Sequence, residues 1–269
     1  MTTATADAPD GNPIGPLLRG WRERRGFSQL ELALRAESSA RHLSFIETGR
    51  SRPSRAMVLH LAEHLDVPVR ERNALLVAAG YAPEYRETPL DDPAMALVRE
   101  NVERLVAAHD PYPALVVDGA YNVVAANNGM VMLMDDVPEH LLTPPLNAMR
   151  LTLHPEGLAP RIRNLREWRA HLITQMDRQL ALARSPALKA VYDEVVAYPV
   201  HDPGEDVGGP AGYAPLALPL RVEYGGQVLT FVSTIATFNT PVDITVSELA
   251  METLLPADAA TQKFLTDRS

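Results

Sequence analysis

The sequence predicts two domains of different class, an all-α head of five short helices followed by an α+β domain, and three observations carry that expectation. The length of 269 residues exceeds what one ordinary domain holds. Residues 14–80 run as closely spaced helical segments, whereas those beyond 93 mix helices with two pairs of strands. Charge divides at the same place: residues 14–80 hold 11 Arg and no Lys against 7 acidic residues, about +4, and the remainder holds 14 basic and 27 acidic residues, about −13, within a total of −9. The basic end is therefore the candidate polyanion binder.

Each element follows from local chemistry. Residues 1–13 lack periodicity and read as a disordered tail. Ile14, Leu17, Leu18 and Trp21 recur at helical spacing until Gly26 stops the first helix. Ser28-Gln29-Leu30-Glu31 has the form of a capping box and opens a second helix that ends near Ala36. A third starts near Ser39 with Leu43 and Ile46 on one face and stops at Thr48-Gly49. Ser54 caps a fourth helix, and Pro68 opens a fifth that Gly80 closes. Residues 81–93, with three prolines and four acids, are too polar and broken to pack as an element and are expected to be a linker.

In residues 94–269 the expected elements are a helix over 94–108, a strand over 114–117, a turn at Asp118-Gly119 and a strand over 121–125. Helices then dominate from 127 to 198, the clearest carrying Leu165, Trp168, Leu172 and Met176 along one stripe. Strands over 216–224 and 227–238 meet at Gly225-Gly226, a strong hairpin signal. The Gly/Pro-rich stretch 199–215 reads as a mobile loop, and Gly208-Gly209 lacks the strand–loop–helix setting of a phosphate cradle.

Composition narrows the function. With 46% hydrophobic and 22% charged residues the chain is an ordinary folded one. The absence of cysteine removes disulfides, thiolate catalysis and zinc knuckles. No apolar run approaches the roughly 18 residues of a membrane span, and MTTATADAPDGNP lacks a basic and an apolar region, so a cytoplasmic protein without membrane attachment is expected. No Gly-x-Ser-x-Gly elbow or Ser-x-x-Lys occurs, and His109, His154, His171 and His201 lack metal-binding spacing. No catalytic, metal or cofactor site is expected, and an enzyme is the weakest of three readings.

The second and third helices, joined by a tight turn and followed by an arginine cluster, form a helix-turn-helix. The run SQLELALRAESSARHLSFIETGRSRPS, residues 28–54, resembles the lambda-repressor-like XRE family of bacterial regulators. Residues 112–127, 165–198 and 237–258 resemble the MmyB-like ligand-binding domain, a PAS-related module. The resemblances imply a lambda-repressor-like DNA-binding head and an α+β PAS-like sensor of a lipophilic ligand such as a fatty acid. They also imply a structural salt bridge between Arg22 and Glu47. The family usually has Gly where Glu37 stands, which bears on the turn after the second helix.

A helix fits the major groove, with its N-terminal side chains at base edges and flanking arginines on phosphates. Ser39, Ala40, Arg41, His42, Ser44 and Phe45 form the outward set of the third helix. Arg41 can pair with guanine or hold a phosphate, while Ser39 and His42 can donate to either. Ala40 or Phe45 can touch a thymine methyl, Phe45 being equally suited to fill core. Gln29 is placed for backbone or base, and Arg50, Arg52 and Arg55 for phosphates.

In the second domain the interior candidates for an apolar ligand are Val117, Met130, Met134, Trp168, Leu172, Met176 and Phe231. Arg150 or His154 would meet an acidic head group. The expected partners are double-stranded DNA, a small apolar ligand and a second copy of the chain, because one head reads too few base pairs to select a site. The runner-up is a DNA-binding adaptor whose second domain is filled by its own side chains and docks proteins.

Overall fold

A computed structural model describes residues 13–182, 185–199, 217–238 and 243–268. The tail over 1–12, the stretch 200–216 with Gly208-Gly209, and His201 lie outside them. The chain divides into two compact units: the first runs to Glu87 and includes Asp243 and Ile244, and the second holds the rest.

The head is all-α, with α1 (Ile14–Arg24), α2 (Gln29–Arg35), α3 (Ala40–Glu47), α4 (Arg55–His64) and α5 (Val69–Ala78). The capping box forms reciprocally: Ser28 N donates to Glu31 Oε2 at 2.7 Å and Glu31 N to Ser28 Oγ at 3.1 Å. Ser39 and Ser54 cap α3 and α4, their hydroxyls accepting from His42 N and Met57 N. One core joins all five helices, with Ile14, Leu18, Leu32, Ile46, Leu61 and Leu76 fully buried. Gly15 lets α1 lie on the end of α3: a Cβ there would stand 2.5 Å from the Glu47 carbonyl oxygen.

The turn between α2 and α3 depends on a residue in the left-handed region. Glu37 has φ 46°, its N–H reaches Leu34 O, and Ser38 N reaches Ala33 O at 2.8 Å, which closes α2. Glycine is the residue suited to that φ, so the missing Gly leaves the turn geometry intact and strained. Residues 84–87 pack where the sequence suggests a loose linker. Asn73 Oδ1 accepts from Glu84 N and Tyr85 N, Asn73 Nδ2 donates to Tyr85 O, and Glu87 takes both ends of the Arg70 guanidinium.

The second unit is α+β. Its elements are α6 (Ala96–Ala107), β1 (Ala114–Val117), β2 (Val123–Ala126), α7 (Asn128–Leu133), α8 (Ala148–Leu153), α9 (Leu165–Leu182), α10 (Pro186–Val196), β3 (Leu220–Tyr224), β4 (Gln227–Thr237), α11 (Ile244–Ser247, beginning at the residue grouped with the head), β5 (Ala250–Pro256) and α12 (Ala259–Thr266). The sheet is antiparallel in the order β2-β1-β5-β4-β3.

Three expectations need correction. The strands number five, not four: β5, which the sequence pattern does not announce, lies between the two hairpins and joins them in one sheet. The second strand begins at Val123, since Tyr121 takes φ 65° in a turn where Asp118 Oδ1 accepts from Ala120 N and Asn122 N. The third begins at Leu220; Asn164, whose amide donates to Pro219 O and accepts from Arg221 N, holds its start. Gly225 and Gly226 both take positive φ and make the β3–β4 turn, as a two-residue hairpin requires.

Helices cover both faces of the sheet centre. Val116 and Met251 pack with Val102 and Val106 of α6, while Leu115, Val117 and Leu254 face the larger core built with α8, α9 and α10. Burial on both faces explains why β1 reads as an unbroken apolar run.

Candidate nucleic-acid interface and ligand cavity

On α3 the buried residues are Leu43, Ile46 and Glu47, so Ser39, Ala40, Arg41, His42, Ser44 and Phe45 are exposed or half-buried. Arg41 carries its guanidinium 5.3 Å from the Phe45 ring centroid. This contact presents a cation at the start of the helix and gives Phe45 a positioning contact.

The arginines near the turn separate into braces and open cations. Arg22 grips Glu47 through two hydrogen bonds at 2.6 and 2.9 Å, which hold its pKa above the ordinary value. Gln29 Nε2 donates to the same carboxylate at 2.8 Å, so in the DNA-free head this amide anchors α2 to α3. Arg52 donates to Ala79 O at 2.9 Å and Gly80 O at 3.1 Å, which makes it a brace on the end of α5. Arg55 is paired with Glu84. Arg50 is exposed and has neither ion pair nor hydrogen bond among the described residues.

Arg24 and Arg35, which the sequence does not single out, share that state and stack on Trp21 and Phe27, at 3.9 and 4.3 Å. Their signal is an aromatic three residues before Arg24 and eight before Arg35, visible only once the turn folds Phe27 back.

The second unit holds a cavity of about 300 Å³ between the sheet and the helices. Of the anticipated residues, Met130, Met134, Trp168 and Leu172 line it; Val117, Met176 and Phe231 are buried in the surrounding core instead. Leu115, Met149 and Ile162 add to the wall, and so does one carboxyl, Glu252 on β5. Ser233 Oγ donates to Glu252 Oε1 at 2.7 Å, and burial pushes this carboxyl above its ordinary pKa. Burial also pushes Tyr121, close to Glu252, up to about 12.

Neither proposed head-group partner lines the cavity. Arg150 is committed to Glu194 by bonds of 2.7 to 3.0 Å, and Tyr198 donates to the same carboxylate at 2.6 Å. His154 stacks edge-on to Tyr198. Folding also brings His154 together with His140 and Glu156, their ligand atoms within 4.8 Å of one another, a grouping that spacing along the chain does not reveal.

Among the described residues no helix is long and apolar enough to cross a membrane. Residues 14–75 match the helix-turn-helix domain family, and residues 98–267 match the MmyB-like transcription regulator ligand binding domain. The crystal structure of the clp gene regulator ClgR from C. glutamicum is similar over 28% of this chain and 92% of its own, with 26% identity and a TM-score of 0.24. No curated protein matches. Since the ligand-binding model spans more than half of the sequence and the helix-turn-helix model accounts for the head before it, the chain belongs to the MmyB-like transcription regulators.

Proposed function

We propose that the protein is a cytoplasmic bacterial one-component regulator that binds operator DNA sequence-specifically as a homodimer. A small lipophilic ligand with a fatty-acid-like chain occupies its second domain, and the chain has no enzymatic role. The observation that carries this reading is the cavity of about 300 Å³, walled by aliphatic and methionine side chains, in a chain that also presents an open arginine on a recognition helix. That volume lies at the lower end of small-molecule sites. A domain filled by its own side chains, as the adaptor reading requires, would lack it.

The order of the five antiparallel strands, with the last strand central, supports the PAS-like reading. In the head, Arg41 reads a base edge while Arg50 holds a phosphate, and Arg24 and Arg35 add to the basic field. Two heads on a two-fold axis would engage half-sites about 34 Å apart.

The test combines selection of a cognate site from random duplexes with light scattering and a melting screen of medium-chain amphiphiles. A selected palindrome, a dimer on DNA and ligand-dependent melting are expected. A folded protein that selects no sequence, or that melts unchanged with every amphiphile, would refute the respective half.

A further inference from the structure

Glu252 is misplaced by every ordinary rule of strand patterning. On β5, Ala250, Glu252 and Leu254 alternate toward the larger core, and Glu252 pairs across the sheet with Leu115, another residue of the cavity wall. A carboxyl at a core-facing position of a central strand removes stability unless something answers it. Inside the protein one thing does: Ser233 Oγ donates to Oε1. No Lys, Arg or His stands among the lining residues, and Arg150 is held by Glu194. The second carboxyl oxygen has no hydrogen-bond partner among the described residues, and the side chain borders the cavity.

We infer that Glu252 receives the polar end of the ligand, and that the cavity takes an apolar chain ending in an uncharged donor–acceptor head, as in a primary amide, in preference to a fatty acid carboxylate. The inference rests on the ligand-sensing reading above and fixes the chemistry of the head group. Burial beside apolar side chains penalises the ionised form and raises the pKa of this carboxyl against the lowering effect of the Ser233 hydrogen bond, and the rise favours the protonated form. The protonated carboxyl offers one O–H donor together with acceptor oxygens. A primary amide matches this group with two hydrogen bonds: its carbonyl accepts from the Glu252 hydroxyl, and its N–H donates to the other Glu252 oxygen. A carboxylate can only accept. It would bring a negative charge into an apolar site without a cation and compete with Glu252 for one proton.

The experiment compares decanamide with decanoate at pH 7 on the full-length protein, by calorimetry and thermal melting, in the wild type, Glu252→Gln and Glu252→Leu. Decanamide should bind the wild type roughly tenfold more tightly than decanoate, the weight of about one net hydrogen bond. Glu252→Leu should remove that preference, and Glu252→Gln, which keeps a donor and an acceptor, should retain decanamide binding. Equal or tighter binding of decanoate to the wild type, or a preference that survives in Glu252→Leu, overturns the role of Glu252 and leaves the ligand-sensing reading standing. Binding of neither compound to folded protein overturns both.

Discussion

Arg22 and Glu47 form a two-pronged ion pair, with Nε to Oε1 at 2.6 Å and Nη2 to Oε2 at 2.9 Å, which ties α1 to the last residue of the recognition helix. Arg22 Nη1 also donates to Phe27 O at 2.8 Å, and Gln29 adds its amide to the same carboxylate. The orientation of α3 is thus set from behind by α1 and α2. Removing one member of a buried pair leaves the other charge uncompensated, so Glu47→Ala should cost about 3–5 kcal/mol. Denaturant unfolding followed by helical circular dichroism should show an early transition belonging to the head. A head that unfolds as in the wild type would show that the pair does not hold α3.

At Glu37 the direction is reversed. A non-glycine residue in the left-handed region carries about 1–2 kcal/mol of strain, and φ at Glu37 is 46°. Glu37→Gly should stabilise the head by about 1 kcal/mol, less the chain entropy that glycine adds to the unfolded state. The measurement is the midpoint of head unfolding, and a drop would mean that the Glu37 side chain makes a contribution the turn geometry does not reveal.

Three arginines near the turn should separate by mechanism. Arg41→Ala should cost about 1–3 kcal/mol on the selected site and relax one base position. Arg50→Ala should weaken cognate and random DNA alike and lower the slope of log affinity against log salt by about 0.9. Arg52→Ala should chiefly lower the melting temperature, because its guanidinium closes α5 through Ala79 O and Gly80 O. Salt titrations on both duplexes read all three, and an Arg52→Ala variant with unchanged melting and a reduced salt slope would restore Arg52 to the phosphate contacts.

What the sequence revealed, and what it hid, have one physical origin. The head was legible because each helix is bounded by a local signal, Ser28, Ser39 and Ser54 at starts and Gly26, Gly49 and Gly80 at ends. Strand β5 was hidden because Glu252 faces inward while Met251 packs under α6, so its pattern has no polar side. The residue that concealed the strand is the one that gives the cavity its chemistry, as expected where function overrides patterning. The intramolecular partners of Arg52 and Gln29 were hidden for another reason: they lie 27 and 18 residues away, beyond the reach of periodicity.

Glu252 also makes a prediction about acid. Its folded pKa is raised, so between the unfolded carboxylate value and the folded value the native state binds more protons than the unfolded one. Stability is lost as pH rises through that window. Tyr121, pushed up to about 12, stays neutral there and adds no slope. Glu252→Gln should therefore melt higher than the wild type at neutral pH, with a difference that shrinks as pH falls toward the unfolded carboxylate range. A difference that is constant with pH would show that Glu252 is ionised in the native cavity.

Cavity and operator are coupled only if the ligand binds the DNA-competent and DNA-incompetent states unequally, since equal affinity shifts no population. Leu172 on α9 lines the cavity, and Leu172→Trp fills part of it. Overpacking costs about 1–3 kcal/mol by itself, so the informative quantity is the rise in melting temperature on adding ligand, not the melting temperature alone. Wild type should show that rise together with a change in operator affinity of roughly 5- to 150-fold. Leu172→Trp should lose both and keep the ligand-free operator affinity, because the head has its own core. A wild type whose melting rises with ligand while operator affinity stays fixed would place the cavity outside DNA control and point to a protein partner as the recipient of the signal.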